Sequence, residues 1–83
     1  MKILFFAWLR DTTGVAEGDF DPPADVKDVE QLITWLQQQR DGFERAFSQM
    51  EGVRVAVNQE HVEWNHAVAR SDEVAFFPPV TGG

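Results

Sequence analysis

The sequence predicts a single α+β domain, residues 1–83, in which one main helix lies on one face of a mixed β-sheet. Three observations predict this fold. The chain has 83 residues, of which 43% are hydrophobic, and this length can bury one modest core. Segments typical of strands stand near both ends, and a long segment between them has the period of a helix. Strands interrupted by one long helix favour a sheet that the helix covers on one side.

Two strands are predicted before the helix. Residues 3–9 are apolar on both faces, which is typical of a central strand. Residues 12–14 end in glycine and predict a turn, and residues 15–20 predict a second strand that pairs back as a hairpin. The two prolines in residues 21–23 end this region, because proline has no amide hydrogen to give to a ladder.

The main helix is predicted by apolar residues that recur at i, i+3, i+4 and i+7, namely Val29, Leu32, Ile33 and Leu36. Asp28 is a good N-cap, and Gln31 three residues later completes a capping-box pattern. Arg40 suits the negative end of the helix dipole, and Gly42 is the expected stop. Residues 43–50 are expected to add a short second helix with both of its phenylalanines packed inward.

Three more strands are predicted in the C-terminal half. Three valines alternate with other residues and predict a half-buried strand: Val53, Val55 and Val57. A turn at residues 58–59 leads to a short return strand at 61–64. A second turn at 71–72 leads to the last strand, 73–77, which two prolines end. Within the α+β class, this order of elements fits the ubiquitin-like β-grasp best.

Alternation along the strands predicts which side chains leave the core. Lys2 and Glu73 must point outward, and side chains two residues apart share a face. The outward set is therefore Leu4, Phe6, Trp8, Ala75 and Phe77, and the inward set is Ile3, Phe5, Ala7, Val74 and Phe76. Since one helix covers one face, the outward set is expected to form an apolar patch that is large for a small monomer.

The patch has two interpretations. It is predicted to be a docking surface for another protein, with Leu4, Phe6, Ala75 and Phe77 as its partner-binding residues. The alternative is that the segment 43–50 or the aromatic Trp8 folds over it.

Composition and charge exclude several classes of function. The chain has no cysteine, which excludes disulfide scaffolds, zinc ribbons, iron–sulfur clusters and cysteine nucleophiles. A formal net charge of −7 disfavours binding to nucleic acid or to an anionic membrane. The apolar N-terminus is superficially like a signal peptide, but Arg10 and Asp11 follow where small residues would be needed for cleavage. The sequence therefore predicts a cytoplasmic protein.

A search for catalytic residues finds little. His61 and His66 lack further ligands for a metal, and Ser48 and Ser71 lack the glycines of a nucleophile elbow. No metal site and no catalysis by this chain alone are expected.

The last six residues, 78–83, have the composition of a thin flexible tail: Pro78, Pro79, Val80, Thr81, Gly82 and Gly83. Four residues beyond the prolines extend about 14 Å. Two glycines have no β-carbon and can enter a narrow tunnel, where a terminal carboxylate would be exposed. The tail is therefore expected to present its carboxylate inside the active site of another protein; the alternative is a frayed end without function.

Three segments from end to end of the chain form a specific pattern: residues 3–7 with Leu9 and Arg10, residues 56–59 and, most specifically, residues 72–83. In these segments the chain resembles the MoaD family of ubiquitin-like sulfur carriers, the small subunits of molybdopterin synthase. Ser71 departs from the glycine that the family commonly has there, which puts only the local turn in doubt.

The resemblance implies a function for the tail. An E1-like adenylyltransferase would use MgATP to adenylate the carboxylate of Gly83, and a sulfur-donor protein would convert it to a thiocarboxylate. The tail would then give its sulfur to cyclic pyranopterin monophosphate in the large synthase subunit, within a heterotetramer. This chain would bind no cofactor itself.

Two other functions share the same tail. One is a sulfur carrier for thiamine or tRNA thiolation. The other is a protein modifier that attaches to lysine amines, although such modifiers usually carry a basic residue where this chain has Thr81.

Overall fold

The computed structural model describes residues 1–48 and 52–79. Within these residues it contains a five-stranded sheet and three helices, in the order β1 Lys2–Phe5, α1 Trp8–Thr13, β2 Glu17–Asp19, α2 Val29–Gln37, α3 Asp41–Ser48, β3 Arg54–Val57, β4 Glu60–Val62 and β5 Glu73–Phe77. No helix in this part of the chain is long and apolar enough to cross a bilayer.

The sheet is mixed, as the sequence predicts, and its strand order is β2-β1-β5-β3-β4. The first and last strands lie side by side in the middle and run parallel. The hairpins β1–β2 and β3–β4 are antiparallel, as is the pairing of β3 with β5. The predicted ubiquitin-like β-grasp arrangement is therefore present, with the C-terminal strand held between two others.

The first strand is shorter than the sequence predicts. It ends at Phe5 instead of Leu9, because Ala7 turns the backbone with φ 56° and the helix α1 follows. Ala7 is consequently exposed rather than inward, and Trp8 packs against the core instead of joining the outer face. A short apolar run does not by itself distinguish a buried strand from a buried helix. The turn into α1 still buries Leu9 completely.

The main helix begins as predicted and ends early. The side chain of Asp28 accepts a hydrogen bond from the backbone N–H of Gln31 at 2.8 Å, and the predicted apolar stripe is buried. The helix ends at Gln37, so the predicted stop at Gly42 is wrong. Gly42 instead lies in the first turn of α3, where a Cβ would come within 2.9 Å of the carbonyl oxygen of Thr12.

The core lies between the sheet and the helices. Two phenylalanines of α3, Phe43 and Phe47, are buried, which confirms their predicted inward orientation. Phe43 stacks on Phe5 of β1 with ring centroids 5.4 Å apart, and Phe47 meets Phe76 of β5 edge-on at 4.9 Å. The part of the predicted second helix that covers residues 49–50 lies outside the described residues. The apolar sides of helices α2 and α3 therefore pack on one face of the sheet, and neither helix covers the opposite face.

Candidate docking face and tail root

The uncovered face of the sheet is centred on β1 and β5. Leu4 pairs directly with Ala75 in the parallel register, and both are half-buried. Phe77 is half-buried at the end of β5, and Phe6, just after β1, is 46% exposed. The inward residues of both strands are buried, so the predicted alternation is confirmed for these strands. We call Leu4, Phe6, Ala75 and Phe77 the docking face.

Neither of the predicted alternatives covers the docking face in the described residues. The side chains of Phe43 and Phe47 in α3 are buried against the inner side of the sheet. Trp8 packs against the same core. Leu4, Phe6 and Ala75 line an open groove of about 170 Å³ together with Gln59 and Glu73. The exposed apolar surface is therefore available to a partner.

One positive and two negative side chains meet at one end of the docking face. The ammonium group of Lys2 lies 3.6 Å from a carboxylate oxygen of Glu17 and 3.8 Å from one of Glu73. Lys2 of β1 pairs directly with Glu73 of β5, whereas Glu17 of β2 pairs with Leu4 and lies diagonally across from Lys2. Exposed pairs of this kind contribute little to stability, typically below about 1 kcal/mol. One positive and two negative charges leave this end of the docking face with a net charge of −1, in a chain of net charge −7.

Sequence reasoning missed a residue of this surface, His61. The imidazole of His61 on β4 lies 5.1 Å from the ring of Phe77, measured between centroids. His61 pairs with Ala56, which is itself paired with Ala75. A signal for this was present, because a two-residue turn at 58–59 fixes the register of a hairpin and aligns these residues.

Hydrogen bonds hold the start of β5 to the turn after β3. Asn58 donates from its side-chain amide to Asp72 at 3.0 Å, and its amide oxygen accepts from the backbone N–H of Glu73 at 3.0 Å. Asp72 also accepts from the backbone N–H of Ala69 at 2.7 Å. Asn58 adopts φ 52°, a left-handed conformation that asparagine tolerates better than most residues. These contacts fix the strand from which the tail departs.

The root of the tail continues directly from the docking face. Pro78 is half-buried and Pro79 is exposed after the end of β5. Gly52 lies close to the Pro79 ring, since a Cβ at Gly52 would come within 3.3 Å of it. The remaining predicted tail residues, 80–83, lie outside the described residues. The structure therefore locates where the tail begins and does not test its tip.

The described residues contain no cluster of three or more histidine, aspartate or glutamate side chains that could hold a metal ion. His66 lies apart from His61, on the connection before β5, where its Nδ1 is 2.8 Å from the carbonyl oxygen of Ala67. The functional features of the described part of the chain are thus the docking face and strand β5, which leads into the tail.

A mixed five-stranded sheet with a central C-terminal strand, a covering helix and a bare apolar face defines a ubiquitin-like β-grasp protein. The ThiS family matches residues 3–83, and the chain belongs to this family. The predicted resemblance to ubiquitin-like sulfur carriers is thereby confirmed.

Relatives and solved structures agree with this assignment. The chain is 40% identical to the molybdopterin synthase sulfur carrier subunit of Escherichia coli K12 over 83 residues, which cover 100% of this chain and 99% of the relative. It is 36% identical to the subunit of the same name from Haemophilus influenzae, with the same coverage. The crystal structure of SAMP1 from Haloferax volcanii matches with a TM-score of 0.74 at 27% identity, covering 100% of this chain and 98% of that one.

Proposed function

We propose that this chain is the sulfur-carrier small subunit of molybdopterin synthase. The observation that carries the proposal is the 40% identity, over essentially the full length of both chains, to a molybdopterin synthase sulfur carrier subunit. The bare docking face and the position of the tail root beside it support the same function, since a carrier must bind its acceptor and deliver its C-terminus into it.

The reactive group of the carrier is the C-terminal carboxylate of Gly83. A carboxylate is a poor electrophile until one of its oxygens becomes part of a good leaving group. An E1-like adenylyltransferase supplies that group from MgATP: the carboxylate attacks the α-phosphorus, pyrophosphate leaves and an acyl-adenylate forms. A nucleophilic sulfur at the oxidation level of sulfide, supplied by a donor protein, then attacks the acyl carbon and displaces AMP, which leaves a thiocarboxylate on Gly83.

The second half of the function is delivery. The tail enters the large synthase subunit, where the thiocarboxylate gives its sulfur to cyclic pyranopterin monophosphate and water supplies the oxygen that restores the carboxylate of Gly83. Two deliveries supply both sulfurs of the molybdopterin dithiolene. Gly82 keeps the end of the tail thin, and the two prolines after β5, with φ fixed near −65°, aim it. The general acids and bases of the transfer belong to the large subunit, so this chain acts as a substrate-carrying subunit in the cytoplasm.

The partner that the docking face binds is the large synthase subunit, in a heterotetramer. The face supports this assignment because Phe77 is the last residue of β5 and the tail starts at the next position. A partner that takes up the tail must therefore pass over Phe77. Burial of aromatic residues such as Phe6 and Phe77 is typical of the contacts that dominate binding energy.

The proposal is tested by deleting Gly83. In a reconstitution with the large subunit, the adenylyltransferase, MgATP and a sulfur source, the truncated chain should bind the large subunit as the full chain does and form no molybdopterin. The matched control is Glu44→Ala, an exposed position on α3, which should retain full activity. Molybdopterin formation by the truncated chain would contradict the proposal.

A second function is a protein modifier that attaches to lysine amines through Gly83. The observation in its favour is the likeness to a structure described as the small archaeal modifier protein 1 of Haloferax volcanii, at 26% identity and a TM-score of 0.73. Co-expression with the adenylyltransferase separates the two functions. Isopeptide-linked conjugates support the modifier, and a thiocarboxylate without conjugates supports the carrier.

A further inference from the structure

His61 has no part in the tail chemistry, yet it lies on the surface that the tail leaves from. Its ring is exposed and tilted by 55° against the ring of Phe77, with the centroids 5.1 Å apart. The two residues belong to strands that do not pair with each other, because β3 runs between β4 and β5. The imidazole therefore reaches across a whole strand to meet the phenylalanine.

Ala56 makes this reach possible. It is the residue of β3 that pairs with His61 on one side and with Ala75 on the other. Alternation from Arg54 places Ala56 on the outer face, and yet it is only 7% exposed. A methyl group leaves room for the two rings to approach above it. His61, through its contact with Phe77, thus extends the docking face beyond the residues that the sequence predicts, as far as the edge strand β4.

The place of Phe77 in the chain determines what happens to His61 on docking. Phe77 is followed at once by Pro78, where the tail begins. A partner that holds the tail covers Phe77, and the imidazole 5.1 Å away loses water at the same time. Removing water from an imidazole favours its neutral form over its charged form.

We propose that His61 is a docking residue of this carrier, that it binds the large subunit as a neutral imidazole, and that docking therefore weakens as the pH falls. This inference rests on the proposed function, since the large subunit is the partner named there. It adds a residue and a pH dependence that the tail chemistry does not require.

Two charged residues, Arg54 of β3 and Glu63 just after β4, line the same groove as His61. Their charges are opposite, so together they give the groove no net charge. Glu73 stands on the outer face at the far end of β5, where Lys2 is 3.8 Å from it. The loss of water around His61 on docking is then the effect that decides whether affinity rises or falls as the pH falls.

The sign follows from proton linkage. Histidine is the side chain that ordinarily changes charge between pH 5 and 8. When the complex accepts only the neutral form, a proton must be released before docking, and affinity is full at high pH and falls at low pH.

The test measures the dissociation constant of the full chain with the large synthase subunit of the same organism, by calorimetry at pH 7.5 and 5.5 and constant ionic strength. Four chains are compared: the natural sequence, His61→Gln, His61→Lys and His66→Gln. His66→Gln is the matched control, because the chain has two histidines and His66 lies away from the docking face. Thermal unfolding at both pH values verifies that each variant is folded.

The natural chain and the His66→Gln control should each bind roughly tenfold more weakly at pH 5.5 than at pH 7.5, beyond any change that the large subunit itself causes. His61→Gln should bind without this extra loss, and His61→Lys should bind weakly at both pH values. Equal pH profiles for the natural chain and His61→Gln would overturn the inference while leaving the proposed function intact. An absence of binding by the natural chain at both pH values would overturn both.

Discussion

At Gly42 the first turn of α3 lies against the end of α1, where a Cβ would come within 2.9 Å of the Thr12 carbonyl oxygen and 3.2 Å of that of Thr13. Helix propensity alone predicts that Gly42→Ala stabilises the protein by about 1 kcal/mol. The close approach predicts the opposite, a loss of about 1–3 kcal/mol, because two backbone segments must move apart. Urea denaturation measures the difference. Glu44 is exposed on the same helix, so the control variant Glu44→Ala should change stability by less than about 0.5 kcal/mol.

Gly42 also shows where sequence reasoning stops at the scale of one residue. A glycine after a helical segment predicts a helix end, because glycine readily adopts a left-handed conformation. Here α2 ends at Gln37, and Gly42 serves a tight contact between two other helices. Such a contact depends on the relative position of α1 and α3, which a local pattern does not contain.

At the scale of one element, the N-terminus of α2 follows its sequence pattern closely. Asp28 caps the helix through the backbone N–H of Gln31, and the side chain of Gln31 accepts from the backbone N–H of Lys27, both at 2.8 Å. Asp28→Ala should lower the free energy of unfolding by about 1 kcal/mol, because an orphan N–H loses its acceptor. The control is Asp25→Ala, which replaces an exposed aspartate shortly before the helix. Equal losses for both variants in a urea titration would contradict the assignment of the cap.

At the end of β1, substitutions of two neighbouring phenylalanines should separate the stability of the fold from binding to the large subunit. Phe6 is 46% exposed, and its neighbour Phe5 is 1% exposed. Phe6→Ser should cost less than about 1 kcal/mol of stability and weaken binding to the large subunit at least about tenfold, because an aromatic contact of the interface is lost. Phe5→Ser, the matched control, should cost more than about 3 kcal/mol. A collapse of thermal stability in Phe6→Ser would show instead that Phe6 is a core residue.

Strands were predicted well where side chains alternate and less well where they do not. Alternation from Lys2 and Glu73 assigned the faces of β1 and β5 correctly, and the hairpin turn at residues 58–59 was placed where the backbone has positive φ. The segment 3–9 is apolar at every position, so no change in its hydrophobic pattern marked the end of the strand at Phe5 and the turn at Ala7. The burial of Ala56 was missed because it depends on two rings from other strands.

At the scale of the whole molecule, the sequence predicted the fold class, the family and a bare face of the sheet. These follow from patterns that span the chain: strand, strand, helix and three strands, and the final block of residues 72–83. The tip of the tail is different in kind, because residues 80–83 lie outside the described part of the chain. Its function is argued from composition and from family membership.

In the proposed function, a chain without cysteine carries its transferable sulfur on the C-terminal backbone carboxylate. The most direct test is the intact mass of the protein after co-expression with its adenylyltransferase and sulfur donor, followed by the mass of its C-terminal peptide. We expect an increase in mass equal to the exchange of one oxygen for one sulfur, confined to the peptide that ends in Gly83 and absent when Gly83 is deleted. An unchanged mass for the full chain, or a sulfur located in any other peptide, would contradict the proposed function.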